Sequence, residues 1–146
     1  MARDLIRIPC VMMRGGTSKG PFFRAEDLPA DTATRDAVLL AAMGSPHELQ
    51  VDGVGGAYPQ SSKVAIISRA TDSEADINYL FAQVSVDKAI VDTKPNCGNM
   101  LSGVGPFAID EGLWPASGDE TMVRVRNLNT EARDPEVAPE PHAPRI

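Results

Sequence analysis

The segment from Met100 to Leu113 is largely apolar on all sides, which limits the ways in which this chain can fold. A segment without a polar stripe has to be surrounded by other elements, and this favours a buried helix. Gly103, Gly105 and Pro106 oppose a helix by propensity. The glycines would, however, allow neighbouring strands to approach closely. The sequence therefore predicts a central helix enclosed by strands.

Short apolar runs separated by turn residues predict strands in the rest of the chain. A second helix is predicted from a cap at Asp31 or Thr32 to Met43, with Gly44 as its stop. The glycine-rich segment Gln50–Gln60 predicts turns. Strands are predicted from Ile6 to Met13 and at Phe22-Phe23, Lys63–Ser68, Ile77–Val86, Ala89–Val91 and Met122–Leu128.

The last residues differ in composition from the rest. Asp134–Ile146 contains Pro135, Pro139, Pro141 and Pro144 and almost no apolar side chain. Such a segment cannot bury enough surface to offset the entropy of ordering it. We expect one domain at residues 1–133, followed at residues 134–146 by a disordered Pro-rich tail or the truncated end of a longer protein.

Charge and composition exclude several classes of protein. A net charge of −6 argues against a nucleic-acid binder and against a protein that binds anionic membranes. The apolar runs are too short to span a bilayer, and charges after Met1 argue against a signal segment. We therefore expect a cytoplasmic protein with reduced thiols, although the sequence leaves a Cys10–Cys97 disulfide open. The cysteines and histidines have no zinc-site spacing.

The segment Asn96-Cys97-Gly98-Asn99 places a thiol at a polar junction directly before the apolar segment. Unpaired N–H groups at a helix start favour negative charge. Such a position would favour the thiolate form of Cys97 and could hold a carboxylate ligand. The alternative is a small buried hydrophobic residue, which is the commonest role of a free cysteine.

Two further segments bring cations to turns. Arg14-Gly15-Gly16-Thr17-Ser18-Lys19-Gly20 could form an anion-binding concavity or a solvated hairpin turn. Lys63 begins an apolar strand and could point into solvent at the sheet edge. If it is buried, loss of solvation favours its neutral form and makes it a candidate proton abstractor. Together with Cys97, these segments predict a carboxylate-binding, proton-moving site without a metal.

Four motifs occur in the order found in the PrpF-like family, which the chain resembles over about residues 5–130. They are Met13-Arg14-Gly15-Gly16-Thr17-Ser18-Lys19-Gly20, Asp52-Gly53-Val54-Gly55-Gly56, Ser61-Ser62-Lys63-Val64-Ala65 and Asn96-Cys97-Gly98-Asn99-Met100. The resemblance implies the α+β class and one half of the diaminopimelate epimerase-like fold, a curved, mostly antiparallel sheet wrapped around a central helix. Family members pair two such halves around the active site, and the second half is missing from this sequence.

The resemblance also implies a function. It implies a cofactor-independent isomerase that shifts a double bond of a small-molecule tricarboxylate by proton transfer, without a metal. The expected substrate is 4-oxalomesaconate, an intermediate of aromatic-acid catabolism, and the alternative is 2-methylaconitate or aconitate. Catalysis in the family is assigned to a lysine and a cysteine, which match Lys63 and Cys97 here.

The positions that the resemblance implies for substrate binding lie in the same motifs. They are Arg14, Thr17, Ser18, Lys19, Ser62, Gly98, Asn99 and Met100. A candidate from a different class is a truncated, noncatalytic domain for carboxylate binding or assembly. An open half would expose an apolar face, so a homo-oligomer is one expected state.

Overall fold

The predicted apolar runs form one mixed sheet of seven strands. The computed structural model describes residues 5–130 and, for the backbone alone, residues 136–139. The strands are β1 (Val11–Gly15), β2 (Ser18–Arg24), β3 (Lys63–Arg69), β4 (Ile77–Val84), β5 (Val91–Asp92), β6 (Met122–Asn127) and β7 (Glu136–Pro139).

The strand order is β1-β2-β3-β4-β6-β7, and β5 pairs with the end of β4. The pairs β2–β3 and β4–β6 are parallel, whereas the other pairs are antiparallel. The sheet is curled and carries a few helices. The expected α+β class with a mostly antiparallel sheet is therefore confirmed.

The first hairpin is tighter than the sequence predicts. Its turn consists of Gly16 and Thr17 between the paired residues Gly15 and Ser18, whereas the prediction was a turn over all of Arg14–Gly20. Gly16 has φ +53°, which glycine adopts at little cost and which suits a two-residue hairpin. Arg14 and Lys19 are consequently paired opposite each other in strands.

Successive side chains of each strand point to opposite faces of the sheet, so the buried residues form two separate clusters. The inner face packs against the segment that follows Cys97, and its buried residues are Phe22, Ala65, Ile67, Ile77, Tyr79, Phe81, Cys97, Met100, Val104, Phe107, Ala108, Val123 and Val125. The outer face packs against the first long helix, and its buried residues are Phe23, Leu28, Leu39, Met43, Val64, Ile66, Ala82 and Val84.

The outer helix α1 (Thr32–Met43) has the boundaries that the sequence predicts. Its N-cap is Asp31, whose carboxylate accepts hydrogen bonds from the backbone N–H and the hydroxyl of Thr34. Gly44 ends the helix in the left-handed region at φ +79°. Both end signals depend only on neighbouring residues, so the sequence alone predicts where the helix begins and ends.

The predicted continuous helix at Met100–Leu113 is wrong. The segment instead forms two short helices, α2 (Gly98–Leu101) and α3 (Val104–Asp110), with Gly103 between them. Pro106 lacks an N–H group and fits only the first turn of a helix, so the chain has to start a new helix just before it. A Cβ at Gly103 would lie 2.7 Å from the Phe22 ring, so the break also allows close packing on β2.

Ion pairs hold the loop before β4 against β6. Asp76 is buried, and its carboxylate accepts hydrogen bonds from the backbone and the guanidinium of Arg124. Burial alone would raise the pKa of Asp76, but these hydrogen bonds outweigh it and hold the pKa below its usual range. Arg126 makes a second pair with Asp72 and lowers the pKa of that carboxyl too.

One strand forms within the segment that the composition assigns to a disordered tail. Glu136–Pro139 makes β7, which pairs antiparallel with β6. Backbone pairing requires no apolar side chain, so the composition gives no signal for this strand. The rest of residues 131–146 lies outside the described residues, and the domain boundary at residue 133 stays a prediction.

Candidate active site

The structure brings Lys63 and Cys97 into direct contact. Lys63 Nζ lies 3.5 Å from Cys97 Sγ, although the two residues are 34 positions apart in the chain. Lys63 is the first residue of β3 on its inner face, and Cys97 is the N-cap of α2. The fold therefore places an amine and a thiol, the two groups expected to transfer protons, at one end of the inner face.

Lys63 is positioned mainly by the sheet. A Cβ at Gly20 would lie 1.6 Å from the Lys63 carbonyl oxygen, so only glycine lets β2 approach the start of β3 this closely. Lys63 Nζ lies 5.6 Å from the centre of the Phe81 ring, within the range of a cation–π contact. Among residues 5–130, no carboxylate is within ion-pair distance of Lys63 Nζ. The contact of Nζ with the Cys97 thiol therefore does not compete with an ion pair.

Cys97 is positioned by side chains rather than by a strand. The buried hydroxyl of Tyr79 donates a hydrogen bond of 3.0 Å to the Cys97 carbonyl oxygen. The Asn127 amide donates to Asn96 Oδ1, one residue before the cysteine. The Asn129 amide donates to the carbonyl oxygens of Phe81 and Thr93, at 2.7 Å each, and so ties the segment that leads to Cys97 to strand β4.

The sequence prediction missed these positioning residues. Tyr79 lies on the apolar inner face of β4, and a buried tyrosine hydroxyl needs a hydrogen-bond partner. That polar group within an apolar strand was the available signal for Tyr79. Asn127 and Asn129 carry no comparable signal, because asparagines at the end of a strand usually indicate only a turn.

The β1–β2 hairpin packs directly on α2. Ser18 is 1 % exposed, and its hydroxyl oxygen lies 3.9 Å from Cys97 Sγ. Thr17 Oγ1 accepts a hydrogen bond of 3.0 Å from the Asn99 amide at the exposed rim. A Cβ at Gly15 would lie 2.3 Å from the Asn99 carbonyl oxygen, so this packing requires glycine. Ser18 therefore contacts Cys97 directly, whereas Thr17 and Asn99 join the hairpin to the first turn of α2, which Gly98 begins directly after Cys97.

Four other predicted binding residues lie elsewhere. Arg14 and Lys19 pair with each other on the face of the hairpin opposite to Ser18, because neighbouring residues of a strand point to opposite faces. The Ser62 hydroxyl is fully buried between Gln50 and the Val84 carbonyl. Met100 is fully buried in the inner core. The structure brings none of these four side chains to the pair.

The two thiols are free, as the sequence analysis expected. Cys10 precedes β1 at the Val11 end, whereas Cys97 lies near the Gly15–Ser18 end. Five residues of strand span about 16 Å. A disulfide requires Cα atoms within about 7 Å, so the two thiols cannot pair in this fold.

The described part of the chain contains neither a metal-site cluster nor a membrane-crossing helix. Residues 5–130 contain no group of three or more histidine, cysteine, aspartate or glutamate side chains able to hold a metal ion. No helix among the described residues combines the length and apolar character needed to cross a membrane.

The chain is similar to known isomerases. Over 124 residues it is 61 % identical to the putative isomerase YbhH of Escherichia coli strain K12, covering 85 % of this chain and 35 % of that protein. It is 59 % identical over 128 residues to the (4E)-oxalomesaconate Delta-isomerase of Novosphingobium sp. strain KA1, covering 88 % of this chain and 36 % of that protein. The chain thus spans about a third of the length of these relatives.

A solved structure and a family profile agree with this similarity. The crystal structure of methylitaconate-delta-isomerase superposes with a TM-score of 0.84 at 53 % identity, covering 88 % of this chain and 33 % of the other. The family profile described as PrpF protein matches residues 5–134, which is most of the chain. The chain therefore belongs to the PrpF family.

Proposed function

We propose that this chain supplies the proton-transfer groups of an isomerase that shifts a carbon–carbon double bond of an unsaturated tricarboxylate or of a related dicarboxylate. The observation that carries the proposal is the 3.5 Å contact between Lys63 Nζ and Cys97 Sγ. An allylic shift needs one group to remove a proton and one to return it at a nearby carbon, and an amine and a thiol can do both.

The proposed reaction begins when the neutral amine of Lys63 removes an acidic proton from a carbon next to the conjugated double bond. The electrons delocalise into a dienolate, and the Cys97 thiol delivers or relays a proton to the carbon at the other end of the allylic unit. Because Nζ and Sγ are in contact, no substrate carbon fits between them. We therefore place both proton transfers on the same face of the substrate, whereas the resemblance alone implies that Cys97 acts on the side opposite to Lys63.

Groups around the pair are suited to bind the substrate carboxylates. The N–H groups of Gly98 and Asn99 belong to the first turn of α2 and lack helical partners. Thr17 and Ser18 add hydroxyl groups on the facing hairpin. Hydrogen bonds to the developing dienolate charge would stabilise it most where water is excluded.

The substrate follows from the relatives rather than from the geometry. The similarity to an oxalomesaconate isomerase supports 4-oxalomesaconate as the first candidate. The structural similarity to a methylitaconate isomerase supports methylitaconate, which is a dicarboxylate, as the second candidate. The reaction type is the same for both candidates.

Incubation of the purified chain with each substrate tests the proposal. Turnover is followed by ultraviolet absorbance, and solvent deuterium uptake reports proton exchange at carbon. We expect Lys63→Ala and Cys97→Ser each to lower the rate at least tens-fold, the scale of acid–base residues. Lys94→Ala and Cys10→Ser are matched controls, because both residues are exposed and lie outside the pair.

Two outcomes would contradict the proposal. Full activity in Lys63→Ala and Cys97→Ser would remove both residues from the mechanism. A folded chain that binds either candidate substrate without turnover or deuterium exchange would instead be the noncatalytic binding domain.

A further inference from the structure

The contact between Lys63 and Cys97 also joins a nucleophilic amine to an oxidisable sulfur. Hydrogen peroxide oxidises a cysteine thiolate to a sulfenic acid, which condenses with a nearby thiol or with a backbone nitrogen. A side-chain amine is a stronger nucleophile than a backbone nitrogen and can take its place. Which partner captures the sulfenic acid depends on what lies within reach. At Cys97 the Lys63 amine is 3.5 Å from the sulfur.

Competing thiols cannot reach the sulfur. The other cysteine of the chain, Cys10, lies at the far end of the hairpin, about five residues of strand from the site. Cys97 is 5 % exposed, so it presents little surface to a thiol as large as glutathione, whereas hydrogen peroxide is not much larger than water. Lys63 itself is only half-buried.

We propose that Lys63 and Cys97 form a site of oxidative modification, at which hydrogen peroxide leads to a covalent S–N bond between the two side chains. In the first step the Cys97 thiolate attacks one peroxide oxygen, the O–O bond breaks and hydroxide leaves. The sulfur is oxidised by two electrons and the peroxide is reduced.

In the second step the neutral amine of Lys63 attacks the sulfur. The S–N bond forms, the S–O bond breaks, and the oxygen leaves as water after taking up a proton, while the nitrogen loses one. The sum is one thiol, one amine and one hydrogen peroxide, giving one S–N bond and two waters.

The link would protect the sulfur from further oxidation. A free sulfenic acid proceeds to the irreversible sulfinic acid, whereas a sulfur–nitrogen bond is opened by a thiol reductant once the reductant reaches the sulfur, as it does after unfolding or digestion. While the link is present, neither side chain can transfer a proton. The inference rests on the geometry of the pair and does not require the proposed isomerase activity.

The test uses the full chain with Cys10→Ser as background, so that Cys97 is the only thiol. The protein is treated with hydrogen peroxide, free thiols are then blocked, and the digested protein is analysed by tandem mass spectrometry. The expected product is a cross-linked peptide that joins Lys63 to Cys97 and is lighter than the sum of its two parts by two hydrogen atoms. Treatment with dithiothreitol should release both peptides unmodified.

Two lysine variants locate the amine. Lys63→Gln should abolish the link, so that peroxide oxidises Cys97 further to the sulfinic acid. Lys94→Gln should leave it intact, because Lys94 is close to Cys97 in sequence but exposed. The proposal would be overturned by a link to another lysine, by a linked pair that retains an extra oxygen atom, or by Cys97 that is unreacted or sulfinic in the background protein. Those results come from the background protein alone, so they do not depend on the folding of Lys63→Gln.

Discussion

The two faces of the sheet are built in different ways. On the outer face, α1 runs for 12 residues, has a cap at each end and buries Leu39 and Met43. On the inner face, α2 and α3 have 4 and 7 residues, and neither has a side-chain cap. The outer helix is specified by its own sequence, whereas the inner helices depend on what packs against them.

The inner face depends on close approach between backbones. Gly15 contacts the backbone of Asn99 and Met100, and Gly103 contacts the ring of Phe22, so a Cβ at either glycine would overlap its neighbour. The side chains of Tyr79 and Asn127 complete the packing around Cys97. A change on the inner face should therefore alter the site, whereas a change on the outer face should alter stability alone.

The largest effect is expected for Leu39→Ala on the outer face. Leu39 is fully buried, and removing its side chain should lower the free energy of unfolding by about 3 kcal/mol. Urea unfolding measures the loss, and Leu40→Ala, on the same helix but half-buried, should lose less. The alkylation rate of Cys97, corrected for the unfolded fraction, should stay at the parental value. A changed rate would mean that the two faces are coupled.

A smaller loss of stability with a larger effect on the site is expected for Gly15→Ala. The new Cβ would lie 2.3 Å from the Asn99 carbonyl oxygen and 2.7 Å from Met100 Cα, so α2 has to move. We expect a loss of about 2 kcal/mol, typical of overpacking, together with faster alkylation of Cys97. Gly98→Ala is the control, because its Cβ meets nothing within 4 Å. Equal behaviour of the two variants would refute the close-approach argument.

The smallest effect is expected at the cap of α1 and depends on pH. The hydroxyl of Thr34, and then its backbone N–H, donate to Asp31 and lower the pKa of that carboxyl. Its contribution to stability is present above the pKa of the unfolded state, about 4, and is lost as the pH falls through the lower folded pKa.

Asp31→Asn isolates this effect, because asparagine caps a helix without titrating. Urea midpoints of the parent and of Asp31→Asn should be compared at pH 7 and pH 3. The parent should lose more stability than the variant between the two values. Equal losses of stability in the parent and in Asp31→Asn would show that the charge of Asp31 does not stabilise the helix.

The difference between the faces also explains which elements the sequence predicts. The helix from Thr32 to Met43 and the strand that starts at Lys63 were predicted with nearly their observed bounds, because caps and continuous apolar runs are local signals. The break at Gly103 was missed, because it depends on contact with Phe22 from another strand. β7 was missed because its partner supplies the pairing.

The site divides in the same way. The residues of the Lys63–Cys97 pair follow from their motifs and from family resemblance, but their contact is a property of the fold. Arg14 and Lys19 were assigned to the site because they are the cations of a glycine-rich turn that could bind an anion and because they belong to a motif of the family. The two-residue turn puts them in strands, where alternation takes them to the opposite face. The motif therefore predicts the hairpin, but it does not predict the direction in which the side chains of Arg14 and Lys19 point.

The amide of Asn129 has a consequence for association as well as for the site. β5 and β6 occupy the same edge of β4, and Phe81 lies between the residues that they pair with. Asn129 accepts from the Phe81 N–H and donates to its carbonyl, as a neighbouring strand would. Unpaired edge groups are templates on which other chains add strands. At this gap one amide side chain occupies both groups, so neither is left as a template for a strand of another chain.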